Sequence, residues 1–152
     1  MGIKSWVDGV LQHRTEMRPV QTQVQPRLQQ LSGIKAVVFD VYGTLVISGS
    51  GDVCSADTVG RDSFIRQAIV ESGLFGNLVS VPDADSLQQK IQQANRERCD
   101  SSCPKPEVDI VEVWRHLLAE NGWLECPTEI ESVVKVATQY EALANPTWPM
   151  PG

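Results

Sequence analysis

One carboxylate in this chain is placed for chemistry. Residues 36–46 read AVVFDVYGTLV, an apolar run that leads straight into Asp40 and continues through Val41, Tyr42, Gly43 and Thr44. An acid at the C-terminal end of a parallel strand faces the crevice in which α/β proteins bind their ligands. Placed there, it can serve as nucleophile, metal ligand or base. Gly43 permits a sharp turn, and the Thr44 hydroxyl can tie the loop or contact a bound anion. A strand-ending Asp standing alone reads more simply as a turn or cap residue. The pattern strand–Asp–x–Tyr–Gly–Thr–Leu makes the chemical reading the stronger one.

The other reactive side chains are scattered. Of the four cysteines, Cys54, Cys99, Cys103 and Cys126, only Cys99 and Cys103 are close. A zinc site of the dithiol kind needs a second matching pair, and His13 and His116 are far from them in sequence. Free thiols in a reducing cytosol are the simpler expectation. Gly49-Ser50-Gly51 lacks the Gly-Lys-Ser/Thr that follows in a P-loop and reads as a flap gating Asp40. Asp52 and Asp57 read as loop and cap residues, and Trp114, Trp123 and Trp148 as packing residues. A receiver-type phosphoacceptor Asp also ends a strand, but it needs an acidic pair on an earlier strand, and residues 1–33 offer none.

The elements that must position Asp40 follow from periodicity. Residues 34–39 are continuously apolar apart from Lys35, as in a strand buried on both faces of a parallel sheet. Residues 1–33 are Gln-rich, and Val20, Val24, Leu28 and Leu31 suggest a loose amphipathic helix over 21–31, bent or restarted near Pro26. After a loop over 47–57 the pattern turns helical. Phe64, Ile65, Ala68 and Ile69 share a face that ends at Ser72-Gly73. Ser86 with Gln89 predicts a capping box for a polar helix bearing Leu87, Ile91 and Ala94. Asp109 with Glu112 opens the most regular helix, with Ile110, Val113, Trp114, Leu117 and Leu118 on one face and Asn121-Gly122 at its end. Thr128 with Glu131 opens a last helix carrying Ile130, Val133, Val134, Ala137 and Tyr140, which stops before Asn145-Pro146. Four such helices can bury their faces on one another as a small bundle. The strand cannot be satisfied alone, because each orphaned buried amide or carbonyl costs about 1–3 kcal/mol. Residues 78–81 are too short to partner it.

Size and charge bound the rest. A chain of 152 residues suffices for one domain with a real core. A net charge of −6 argues against nucleic-acid binding, which uses clustered Lys and Arg to displace counterions. No apolar run reaches the length of a membrane span, and the N-terminal MGIKSWVDGV has neither a signal-peptide core nor the Ser or Thr of a myristoylation signal, since Trp6 stands there.

VVFDVYGTLV resembles the first signature of the haloacid dehalogenase-like (HAD) hydrolases, Asp-x-Asp-x-Thr/Val or Asp-x-Tyr-Gly-Thr. The helices that follow are similar to the helical cap inserted after that superfamily's first strand, and NPTWPMPG is similar to the linker returning from cap to core. The resemblance runs from Ile34 to Gly152. It implies an α/β fold: a Rossmann-like core with only its first strand evident here, and an inserted helical-bundle cap. The implied division is an extension over 1–33, first strand, nucleophile loop and flap over 34–57, cap over 58–144, and return linker over 145–152.

The same resemblance implies roles. Asp40 matches the nucleophile, which passes through an aspartyl ester or phosphate, and Thr44 matches the motif's Thr. Tyr42 stands where phosphatase members place a second Asp as general acid and base. Gly43 and Arg61 are candidate substrate-binding residues. In metal-dependent members Mg²⁺ is held by the first Asp, here Asp40, by the backbone carbonyl at position 42, here Tyr42, and by later acids. A phosphatase-like member would take Mg²⁺, and a dehalogenase-like member no cofactor. Tyr42 bears on that choice. Expelling an alkoxide benefits from a proton donor, and a Tyr, ordinarily ionising near pH ~10, is a poor shuttle near neutrality. A halide leaves without a proton. Tyr42 therefore fits carbon–halogen cleavage better than phosphate-ester cleavage, and the resemblance leaves both a small phosphate ester and a 2-haloacid open as the expected substrate. The family's remaining Ser or Thr, Lys or Arg, and acidic motifs follow the cap return. Lys105, at the start of a cap helix, does not replace the core Lys. The expectation is an incomplete core, inactive alone, with a homo-oligomer or a complementing C-terminal core segment as partner besides the small-molecule substrate. A non-catalytic remnant or interaction module built on the cap is the alternative.

Overall fold

The computed structural model describes residues 7, 8, 11, 13–19, 23–27, 29–49, 60–104, 106–124 and 130–151. They form a mixed, mostly helical α/β arrangement: β1 (Val46–Ser48), α1 (Arg61–Ser72), α2 (Ala84–Arg98), α3 (Ile110–Glu120), α4 (Ile130–Ala144) and β2 (Thr147–Pro149). The two strands pair antiparallel, Ile47 opposite Trp148.

Each helix follows from its local sequence. In α1, Ile65, Ala68 and Ile69 recur at helical spacing and all three are buried. Gly73 ends the helix in the left-handed conformation, φ 84°, and Leu74 N–H donates back to the Ile69 carbonyl at 3.2 Å. That is a Schellman-type stop, with Leu74 folded into the core behind it. The cap of α2 is Asp83 and not Ser86: the Asp83 carboxylate accepts from Ser86 N–H at 2.8 Å, so the helix starts two residues before Ser86. Asp outcompetes the expected Ser because its charged oxygen faces the positive end of the helix. Asp109 caps α3 as expected, accepting from Val111 and Glu112 N–H at 3.1 and 3.2 Å. Val113, Trp114, Leu117 and Leu118 are buried, whereas Ile110, the first helical residue, stays exposed beyond the packed face. Thr128, expected to open α4, lies outside the described residues.

The core is a single cluster drawn from α1, α3 and α4 with Leu87 of α2 and the flanking Leu74 and Trp123. Trp114 is its largest wholly buried side chain, and its ring meets Tyr140 edge-on at 5.4 Å between centroids. α4 packs most extensively on α1 and also on α3. Contact with two helices explains why Val136 is buried together with Val133 and Ala137, a wider face than a single stripe.

Two expected elements are not formed. Residues 34–39 take no strand conformation and are exposed, Val38 at 94 %. A strand is defined by its ladder, and no described strand lies beside them. In residues 23–27 and 29–31 no helix forms. That stretch offers few apolar residues to bury and is interrupted by Pro26, and a short helix without tertiary packing is marginal in water. Conversely, Ile47 and Ser48, at the start of the loop expected over 47–57, form a strand with Val46.

At Gly122, just past the end of α3, the chain passes close to Val79. The glycine's φ is 93°, and a Cβ there would meet Val79 Cγ2 at 2.5 Å and Val79 Cβ at 2.9 Å. Val79 is held in place because its N–H donates to the Asn121 carbonyl at 2.9 Å. Gly122→Ala is expected to cost about 1–3 kcal/mol, read as a lower urea midpoint with unchanged slope.

Candidate functional site

Asp40 opens a tight turn. The Val41 carbonyl accepts from Leu45 N–H at 2.8 Å and Val46 N–H at 2.9 Å, and Gly43 N–H donates to the Val46 carbonyl at 2.8 Å. Gly43 sits at φ 78°, a conformation that disfavours any residue with a Cβ. Asp40, Tyr42, Gly43 and Thr44 are thus held within one turn.

That turn is anchored on both sides of the ribbon. Met150 N–H donates to the Leu45 carbonyl at 2.9 Å, and Gly49 N–H to the Pro146 carbonyl at 2.8 Å. Ser48 Oγ donates to Asn145 Oδ1 at 2.7 Å, and Asn145 Nδ2 to Glu141 Oε1 at 3.1 Å, which ties the ribbon to the end of α4. The ribbon was not foreseen from sequence. The β-branched Val46-Ile47 and Thr147 were its only signal.

The crevice expected around Asp40 is not formed by the described residues: Asp40 and Thr44 are exposed and Tyr42 is about half exposed. Arg61 belongs to the start of α1, where its charge opposes the rise that burial imposes on the Tyr140 hydroxyl. Nothing in the described residues joins it to Asp40. Ser50, Gly51, Asp52 and Asp57 of the expected flap lie outside the described residues, as do Lys105, Cys54 and Cys126.

The described residues near Asp40 bring few oxygen donors for a magnesium ion. Asp40 brings one carboxylate. The Tyr42 carbonyl accepts no backbone hydrogen bond among the described residues, which leaves it open as a second oxygen. No group of three or more His, Cys, Asp or Glu among the described residues could hold a metal ion. The further acids that the HAD resemblance implies for the ion have no counterpart among the described residues, and no step is derived through it.

A groove of about 270 Å³ runs between α2 and α3, lined by Lys90, Glu97, Arg98, Glu112 and His116 among others. Its charged side chains each have partners, Lys90 with Glu120, Arg98 with the Glu107 carbonyl and Glu112 with Arg115 and His116. Glu112 accepts from Arg115 Nε at 2.8 Å and Nη2 at 2.6 Å, and lies 2.9 Å from His116 Nε2. The Arg115 guanidinium, helped by His116 and opposed by slight burial, pulls the Glu112 carboxyl from 4.5 down to about 2. A carboxylate lowered in the fold contributes stability above its unfolded value, and that contribution disappears as pH falls from 4.5 toward 2. Both side chains are partly exposed, which holds the contribution under about 1 kcal/mol. Glu112→Gln is expected to flatten the acid limb of the stability curve by that amount, read from urea melts above and below this window.

No described helix is long and apolar enough to cross a membrane. Comparison with protein-family models, with curated proteins and with solved structures found no match.

Proposed function

We propose that this chain carries the nucleophile loop and helical cap of a HAD-like hydrolase, in which Asp40 attacks a small phosphate ester or a 2-haloacid. The observation that carries the reading is the β1–β2 ribbon. The chain leaves the Asp40 turn through Val46–Ser48 and returns through Thr147–Pro149, directly alongside. Helices α1 to α4 therefore hang from two adjacent strands, the arrangement of a unit inserted into a larger core, since an inserted domain needs its two ends close together. The exposed apolar residues just before Asp40 support the same reading, because Ile34, Val37, Val38 and Phe39 gain burial only from neighbouring strands.

In the haloacid case an Asp40 oxygen attacks the halogen-bearing carbon. The carbon–halogen bond breaks, the halide leaves with its electron pair, and water then hydrolyses the aspartyl ester. No proton donor is needed at the first step, which suits Tyr42. In the phosphate case the attack forms an aspartyl phosphate, and the alkoxide must be protonated by a group other than an Asp at position 42. The protein expressed from its whole reading frame is expected to turn over either p-nitrophenyl phosphate with Mg²⁺ or 2-chloropropionate without metal. Turnover of neither sinks the proposal.

The closed helical core favours a second reading, a non-catalytic module built on the cap. Under it the whole-frame protein is inactive on both substrates while residues 1–152 unfold cooperatively as a monodisperse species.

A further inference from the structure

Cys99 and Cys103 lie in the connector between α2 and α3, both exposed and neither in a disulfide. Cys99 ends α2 with extended backbone, φ −70° and ψ 127°. A compact turn follows. Asp100 Oδ1 accepts from Ser102 N–H at 2.7 Å, Ser102 Oγ at 2.6 Å and Cys103 N–H at 2.8 Å. Asp100 N–H donates to the Cys103 carbonyl at 3.3 Å, which closes the two limbs on each other. The Cys99 thiol reaches across the turn: its Sγ lies 3.6 Å from the Pro104 carbonyl oxygen, on the residue next to Cys103. Outside the turn, Arg98 Nη1 donates to the Glu107 carbonyl at 3.2 Å and gathers the base of the connector. Asp100 and Cys103 are thus paired across the turn and the Cys99 thiol lies against the residue that follows Cys103, so the two cysteines occupy neighbouring positions on facing limbs of one closed turn. A metal is the poorer occupant, because no third ligand joins the two thiols among the described residues.

We propose that Cys99 and Cys103 form a dithiol site that reacts with small-molecule disulfides by thiol–disulfide exchange. One cysteine thiolate attacks a sulfur of the incoming disulfide and expels the first small thiolate. The other cysteine attacks the protein sulfur of that mixed disulfide, which forms the Cys99–Cys103 bond and expels the second. The two cysteine sulfurs are oxidised and the two sulfurs of the reagent are reduced. The protons given up by the cysteines end on the departing thiolates. The bond would pin the connector at the mouth of the α2–α3 groove, where Arg98 and Asp109 line it. The proposal does not depend on the hydrolase reading.

The test is equilibration of the folded chain in glutathione–glutathione disulfide buffers, followed by alkylation and tryptic mapping. Trypsin cuts after Arg98 and Arg115 but not between Lys105 and Pro106, so both cysteines fall in one peptide, apart from Cys54 and Cys126. That peptide is expected to escape alkylation and to weigh about 2 Da less than its reduced form. The folded chain should reach this state at a glutathione disulfide excess at least about tenfold lower than the urea-unfolded chain. Asp100→Ala, which removes the acceptor that shapes the turn, should move the folded chain toward the unfolded value. Glutathione adducts on Cys99 or Cys103 without the internal bond, pairing with Cys54 or Cys126, or equal behaviour of folded and unfolded chain would each overturn it. So would an Asp100→Ala chain that matches the parent.

Discussion

Trp114→Ala is expected to remove about 3–5 kcal/mol of stability, a large share of what a domain of this size holds. The indole is 0 % exposed and lies among the buried side chains of the common core, edge-on to Tyr140. Truncation to Ala leaves a large cavity that rigid helices fill only in part. Its Nε1 finds no hydrogen-bond acceptor among the described residues, so the loss is packing rather than a hydrogen bond. Trp114→Phe keeps a ring beside Tyr140 and should lose distinctly less. Urea unfolding followed by circular dichroism measures both, and the Phe variant supplies a value if the Ala variant does not fold. Equal stability of Trp114→Ala and the parent would mean that the helices do not share the core described.

Asp40→Asn, by contrast, should leave the fold untouched and abolish the chemistry. Asp40 is exposed and its carboxylate makes no hydrogen bond among the described residues, so the stability change should stay within about 0.5 kcal/mol. An amide is a poor nucleophile toward carbon or phosphorus, and loss of a nucleophile costs about 1,000-fold or more in kcat. The measurement is kcat of the whole-frame protein on whichever of the two substrates it turns over, beside a urea melt of the same variant. Activity within a few fold of the parent would remove Asp40 from the nucleophile role. An Asp40→Asn protein that is both inactive and unfolded would assign the residue to the fold instead.

Much of the helical part was legible because each helix carries its own instructions. Asp109 sits just before an i, i+3, i+4 apolar stripe, and Gly73 and Asn121-Gly122 follow the last periodic residues. These are local steric and hydrogen-bonding requirements, met whatever the helix packs on. The start of α2 was misplaced because Asp83 and Ser86 both suit an N-cap and differ only in how strongly each competes for the same amides. Val136 was missed for a different reason: a stripe read along one helix assumes one neighbour, and α4 has two. The Asp40 turn was legible from Gly43 alone, but its anchoring to Met150 and Pro146 was not. Those bonds join residues about a hundred positions apart, and no local preference encodes them.

The sequence by itself determined the four amphipathic helices, the caps at Asp109 and Gly73, and the apolar run that delivers Asp40 to a Gly turn, because all of these rest on contacts within a few residues. Only the tertiary structure decided that Val46–Ser48 pairs with Thr147–Pro149, that residues 34–39 stand exposed, and that the Cys99 thiol reaches back to Pro104. Pairing and burial depend on which surfaces the folded chain brings together. An apolar hexapeptide has the means to be a strand, but a ladder partner is what makes it one.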